Sequence, residues 1–143
     1  MHDDSLVHKA ARIERCVDRA KAEHARDADT FAQDFTRQDA AILNIQRACE
    51  AALDRGQHLL RRERLGAPQS ARDVFELLHA GGWLSAELAA AMKRMVGFRN
   101  IAVHDYPALQ LPIMVNIICH HLGDFLAFTE AVLTHGAQPP SAA

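Results

Sequence analysis

The stretch Ile42-Leu43-Asn44-Ile45-Gln46-Arg47-Ala48-Cys49-Glu50-Ala51-Ala52-Leu53-Asp54-Arg55-Gly56-Gln57-His58-Leu59 decides the class of fold. Ile42, Ile45, Cys49, Ala52, Gly56 and Leu59 recur every three or four residues, which places them on one face of a helix. No proline interrupts the run. Its one glycine, Gly56, costs about 1 kcal/mol against alanine in mid-helix, so a neighbouring helix is expected to pack close there. The helix should begin at Asp34 or Thr36 and reach Leu65, where Gly66-Ala67-Pro68 supplies a glycine-then-proline stop.

The same rhythm extends in both directions. Upstream, Leu6, Ala10, Ile13, Val17 and Ala20 form an apolar stripe, opposite Arg12, Glu14, Arg15, Asp18, Arg19 and Lys21. This predicts an amphipathic helix from about Asp4 to Arg26, with Asp27 to Gln33 as a polar joint. Downstream, Ser70 is an N-cap candidate with Asp73 at the third position, and Phe75, Leu77 and Leu78 give that short helix its buried side before Gly81-Gly82. Ser85 and Glu87 open a fourth helix carrying Leu88, Met92, Met95 and Val96, which should end near Asp105. A last helix is expected from about Leu109 to Thr134, with Pro112 in its first turn and Met114, Ile117, Ile118, Phe125, Phe128 and Val132 as its stripe. No strand pattern and no repeat emerges. The expectation is an all-α bundle of four to five helices over residues 1–135, followed by a disordered tail at 136–143.

Composition narrows the function classes. The chain has 143 residues, 49% of them hydrophobic, enough for one domain with one core. Its formal charge of −2 argues against a protein coated in positive charge, so any RNA contact should be local. Cys16, Cys49 and Cys119 are widely spaced and lack a CxxC, which points to reduced thiols. No apolar run approaches the about 20 residues of a membrane span, and Met1-His2-Asp3-Asp4 lacks the order of a signal peptide. The cytoplasm is the expected location.

The chemistry concentrates in Met95-Val96-Gly97-Phe98-Arg99-Asn100-Ile101-Ala102-Val103-His104-Asp105-Tyr106. Arginine offers a forked, permanent charge suited to phosphate, and histidine moves protons near neutral pH. Together they are what phosphodiester cleavage needs when no metal takes part. On a helix Arg99 and His104 lie about 140° apart, so they do not share a face. Asn100 and His104 do, and Asn100 can orient the imidazole. Taken alone, His104 could merely neutralise carbonyls at a helix C-terminus.

The string resembles the R-x4-H-x-Y signature of HEPN-domain proteins, in particular the HepT toxins of HepT/MntA toxin–antitoxin pairs. Ala40–Ala52, Gln57–Leu65, Asp73–Leu78 and Leu88–Tyr106 resemble HepT stretches in the same order, and the likeness spans roughly Val7 to Leu133. The resemblance implies a HEPN bundle and a metal-independent endoribonuclease without cofactor, in which the 2′-hydroxyl attacks its own phosphate. Arg99 would stabilise phosphoryl charge, His104 would move a proton and Asn100 would orient His104. A histidine at a helix C-terminus beside phosphate favours the general-acid role. The resemblance also implies a nucleotidyltransferase antitoxin of MntA type that transfers AMP to Tyr106, the single tyrosine. Tyr106, preceding Pro107, should be extended just past a helix end, with a reachable hydroxyl.

HEPN nucleases commonly pair both motifs across one cleft, and a homodimer with the fourth helix near its interface would resolve the 140° separation. Gly97 and Ala102 are small enough to let a partner backbone approach. Lys93 and Arg94 are weaker RNA-contact candidates, with solvated surface as their alternative. Arg61, Arg62 and Arg64 suit a helix C-terminus as well as an RNA backbone. His120 and His121, about 100° apart on a helix, cannot easily clasp one metal. The competing readings are a non-catalytic HEPN module that binds nucleotide or partner, and a purely structural helical adaptor.

Overall fold

The computed structural model describes residues 4–106 and 109–137. Six α-helices account for most of them: α1 Asp4–Ala25, α2 Phe35–Glu63, α3 Ala71–Ala80, α4 Ala86–His104, α5 Leu111–His120 and α6 Gly123–Ala137. There is no strand among the described residues.

The long helices α1 and α2 form the scaffold, packed along each other over most of their length. Ile13, Val17 and Ala20 on α1 face Ile45, Ala48, Cys49 and Ala52 on α2, all buried. Leu6 lies among residues whose side chains are not described. The joint between the helices is a short 3-10 turn, Phe31–Gln33, after which the Asp34 carboxylate caps α2 by accepting from the Arg37 N–H at 3.1 Å. Arg37 ties the joint together. Its buried guanidinium donates to the carbonyls of Glu23 (2.8 Å), His24 (3.3 Å) and Asp27 (2.8 Å), at and just beyond the end of α1, and to Thr30 Oγ1 (3.0 Å).

Gly56 is a point of close approach. A Cβ there would stand 2.6 Å from Val74 Cγ1 and 3.2 Å from Leu78 Cδ1, so α3 crosses α2 where the side chain is missing. α2 stops before the glycine expected to end it. Arg64 takes the left-handed conformation (φ 54°, ψ 48°), and the Leu65 N–H closes back onto the Leu60 carbonyl at 3.0 Å. Ser70 and Ser85 cap α3 and α4, accepting from the N–H groups of Asp73 (3.2 Å) and Leu88 (3.1 Å).

The last helix departs from expectation: it is two. The chain turns at His121-Leu122, and α6 starts afresh at a 43° bend. Ile118 and Phe125 are both buried on either side of the turn, and Leu122 within it, so the apolar rhythm passes across it unbroken and conceals it. Gly123 has no side chain to favour continuation of the helix. α6 runs on to Ala137, past the expected start of the tail at Gly136. The tail from Gln138 onward, like Pro107, lies outside the described residues. Phe75 on α3 meets Phe128 on α6 edge to face at 5.6 Å, joining the short helices to the core. No single described helix is long and apolar enough to cross a membrane. The α5–α6 pair has the composition only when both helices are taken together, and its stripe (Met114, Ile117, Ile118, Phe125, Phe128, Val132) is spent on the core.

Candidate active site

α4 carries the charged string on its C-terminal half because its apolar positions bury only one side. Met92, Met95, Val96 and Ala102 are buried, whereas Ile101, Val103 and His104 are exposed. Arg99 is half-buried and leans toward α2. Its Nη1 donates to Asn100 Oδ1 at 3.0 Å, and its guanidinium lies close enough to the thiol of Cys49 to act on its charge. Burial pushes that thiol up to about 12, although Arg99 pulls it the other way, so Cys49 stays neutral beneath the guanidinium. Arg99 Nε is shut off from solvent with no hydrogen-bond partner among the described residues.

Asn100 therefore engages Arg99, not the expected His104. His104 closes α4 as its last residue, solvent-facing and without a hydrogen bond among the described residues. The two groups expected to act on phosphate sit on one helix but in different settings: a tethered arginine and a free histidine.

Tyr106 follows one residue beyond the Asp105 C-cap. The residue is 45% exposed, and its hydroxyl donates to Oδ1 of Asp39 near the start of α2. Desolvation and the Asp39 carboxylate raise the phenol to about 12. Neither Cys49 nor Asp39 carried a signal in the sequence, since each contact joins residues distant along the chain.

The secondary candidates are placed less favourably. Lys93 is paired with Glu76 on α3, whose carboxyl is held below its ordinary range by that ammonium. Arg94 faces away from Arg99, into a cavity of about 390 Å³ between α4 and α5 that is also lined by Arg72, Phe98, Ile101, Ile113 and His121. Neither Arg99 nor His104 lines that cavity. The small residues expected to admit a partner are used within the chain: Ala102 is buried, and a Cβ on Gly97 would meet Arg72 Nη2 at 3.0 Å. His121 pairs with Asp124 at 3.5 Å. Among the described residues no cluster of His, Cys, Asp or Glu could hold a metal ion.

The family described as Ribonuclease HepT-like matches residues 9–132. The chain belongs to the HepT-like ribonuclease family. A curated relative, the mRNA nuclease HepT of Shewanella oneidensis, is 45% identical over 130 residues, covering 91% of this chain and 97% of the relative. Among solved structures, the tri-AMPylated Shewanella oneidensis HEPN toxin in complex with MNT antitoxin superposes with a TM-score of 0.89 at 44% identity, covering 93% of this chain and 99% of that one. A toxin–antitoxin complex with AMP-PNP superposes with a TM-score of 0.88 at 44% identity, over 92% and 99% of the two chains. The bundle described above is thus the HEPN fold of this ribonuclease family, as the R-x4-H-x-Y string implied.

Proposed function

We propose that this HepT-like ribonuclease is the toxin of a toxin–antitoxin pair, cleaving RNA at a site built from Arg99, Asn100 and His104. The supporting observation is the contrast between its two charged groups. Arg99 is held against Cys49 and Asn100 and offers a fixed positive charge, while His104 stands free at the helix end, where it can meet a substrate oxygen.

The 2′-hydroxyl attacks the adjacent phosphorus, the bond to the 5′-oxygen breaks, and a cyclic phosphate forms. His104 delivers the proton to the leaving oxygen, and Arg99 stabilises the charge gathering on the phosphoryl oxygens. Asn100 aims the guanidinium through its 3.0 Å contact. No step calls for a metal ion. Because Arg99 and His104 point apart around α4, the site is completed across a homodimer. Ile101 and Ile113, exposed apolar residues that meet between α4 and α5, give that dimer a surface to bury. Cys16, Cys49 and Cys119 are all free thiols, which suits action in the cytoplasm.

The likeness to a tri-AMPylated toxin in complex with its antitoxin supports control by AMP transfer from a nucleotidyltransferase. Tyr106 is the acceptor: it is the only tyrosine, it is partly exposed, and it stands two residues from His104. A phosphodiester and base there would block the cleft and repel RNA phosphate.

RNA cleavage assayed in EDTA tests the nuclease reading. Wild type should cut, and His104→Ala and Arg99→Ala should each lose on the order of 100-fold or more. Equal cleavage by wild type and His104→Ala, or activity restored only by a divalent ion, would remove the proposed chemistry.

A further inference from the structure

The hydroxyl of Tyr106 is engaged within the chain. It donates a hydrogen bond to Oδ1 of Asp39, which lies 67 positions earlier in the chain on the exposed side of α2. Tyr106 as a whole is 45% exposed, and its contact with Asp39 lies at the protein surface. A protonated phenol is a poor nucleophile. At about 12 this one keeps its proton more firmly than a free tyrosine does. Attack therefore requires a base that removes the proton as the new bond forms. Among the described residues the neighbouring His104 and Asp105 make no hydrogen bond to that oxygen, whereas Asp39 already accepts one from it.

We propose that Asp39 is the general base for AMP transfer to Tyr106, so that the acceptor protein supplies one of the catalytic groups for its own modification. This rests on the reading of Tyr106 as the AMP acceptor. The Oη of Tyr106 attacks the α-phosphorus of ATP held by the nucleotidyltransferase. The Oη–P bond forms, the bond from that phosphorus to the bridging oxygen of the β-phosphate breaks, and pyrophosphate leaves. The phenolic proton passes to Oδ1 of Asp39 and from there to water. Asp39 touches the reacting oxygen, and its role is separate from RNA cleavage.

The test follows AMP transfer by the cognate nucleotidyltransferase with magnesium and ATP, read by intact mass, on the full chain. Asp39→Asn keeps the shape and the hydrogen-bonding oxygen but is not basic. It should lower kcat for transfer about 100-fold and leave KM for the acceptor nearly unchanged. Because Tyr106 is the only tyrosine, growth on 3,5-difluorotyrosine replaces that single side chain with a more acidic phenol. The label should close most of the Asp39→Asn deficit and change the wild-type rate little. Transfer to Asp39→Asn at the wild-type rate would overturn the assignment. So would a 100-fold deficit that the label leaves intact, because Asp39 would then merely dock the ring. Wild-type protein that gains no AMP, or gains it equally as Tyr106→Phe, would remove the acceptor reading itself and this inference with it. The unsubstituted control reads that failure separately.

Discussion

Cys49 is the residue on which the aim of Arg99 depends. It is fully buried in mid-α2, and its neutral sulfur lies beneath the guanidinium that the proposed mechanism sets against phosphate. A carboxylate in its place would pair with Arg99 and hold the charge away from substrate. A thiol positions without neutralising. Cys49→Val, close in volume but unable to accept, should lower kcat for RNA cleavage about tenfold with KM little changed, whereas Cys49→Ser should restore most of the rate. Equal rates for all three proteins would show that Arg99 is aimed by Asn100 alone. The thiol also gives stability a pH dependence. Its folded value, about 12, stands above the 9.0 expected when unfolded, so the folded state holds the proton more tightly. The associated stability is intact below 9.0 and is lost as pH rises toward about 12. Urea unfolding of wild type and Cys49→Ser on either side of that lower bound should give a difference that shifts against wild type at the alkaline end. A difference constant with pH would contradict the burial of the thiol.

At the scale of the element, the joint between α1 and α2 is held by one side chain that the hydrophobic pattern could not single out. Arg37 occupies the first turn of α2, yet it donates to three carbonyls at the far end of α1 and its trailing turn. Those carbonyls have no partner within their own helix. Arg37→Met should destabilise the fold by about 3 kcal/mol, since several buried acceptors lose a charged donor at once. Arg37→Lys should recover little, because a single ammonium cannot reach the same spread of acceptors. Chemical denaturation measures both, and an unchanged midpoint would mean that water replaces the guanidinium. The contrast between this joint and the rest of the bundle explains what could be read in advance. Stripes such as Ile42–Leu59, the caps Ser70 and Ser85, and the close approach at Gly56 are local or periodic, and the sequence displays them directly. The break between α5 and α6 keeps the apolar phase and lacks a proline, and the lone Gly123 is too weak a local mark to set against that rhythm. Arg99, Asn100, His104 and Tyr106 were recognisable as a string. Their partners Cys49 and Asp39 were not, because only folding brings α2 beside the end of α4.

At the scale of the whole molecule, the surface around α4 remains to be accounted for. Ile101 is 41% and Ile113 49% exposed, and the two meet between α4 and α5 close to the charged string. Ala102 is buried in the core, and the tip of Arg72 lies beside Gly97. The exposed side chains of Ile101 and Ile113 are the better reason for a dimer. An interface formed there would bring the string of one chain near that of its partner, and a two-fold axis would supply each Arg99 with a His104 from the other side. Such sharing can be tested with two inactive proteins. Arg99→Ala and His104→Ala, each inert alone, should regain activity when co-expressed or mixed and allowed to exchange. In a mixed dimer one site receives the intact arginine of one chain and the intact histidine of the other, while the second site lacks both. With random pairing about a quarter of wild-type activity should return. No recovery, despite heterodimers seen by native mass spectrometry, would place both catalytic groups of each site in a single chain. Arg99 would then have to swing round α4, giving up its contacts with Cys49 and Asn100.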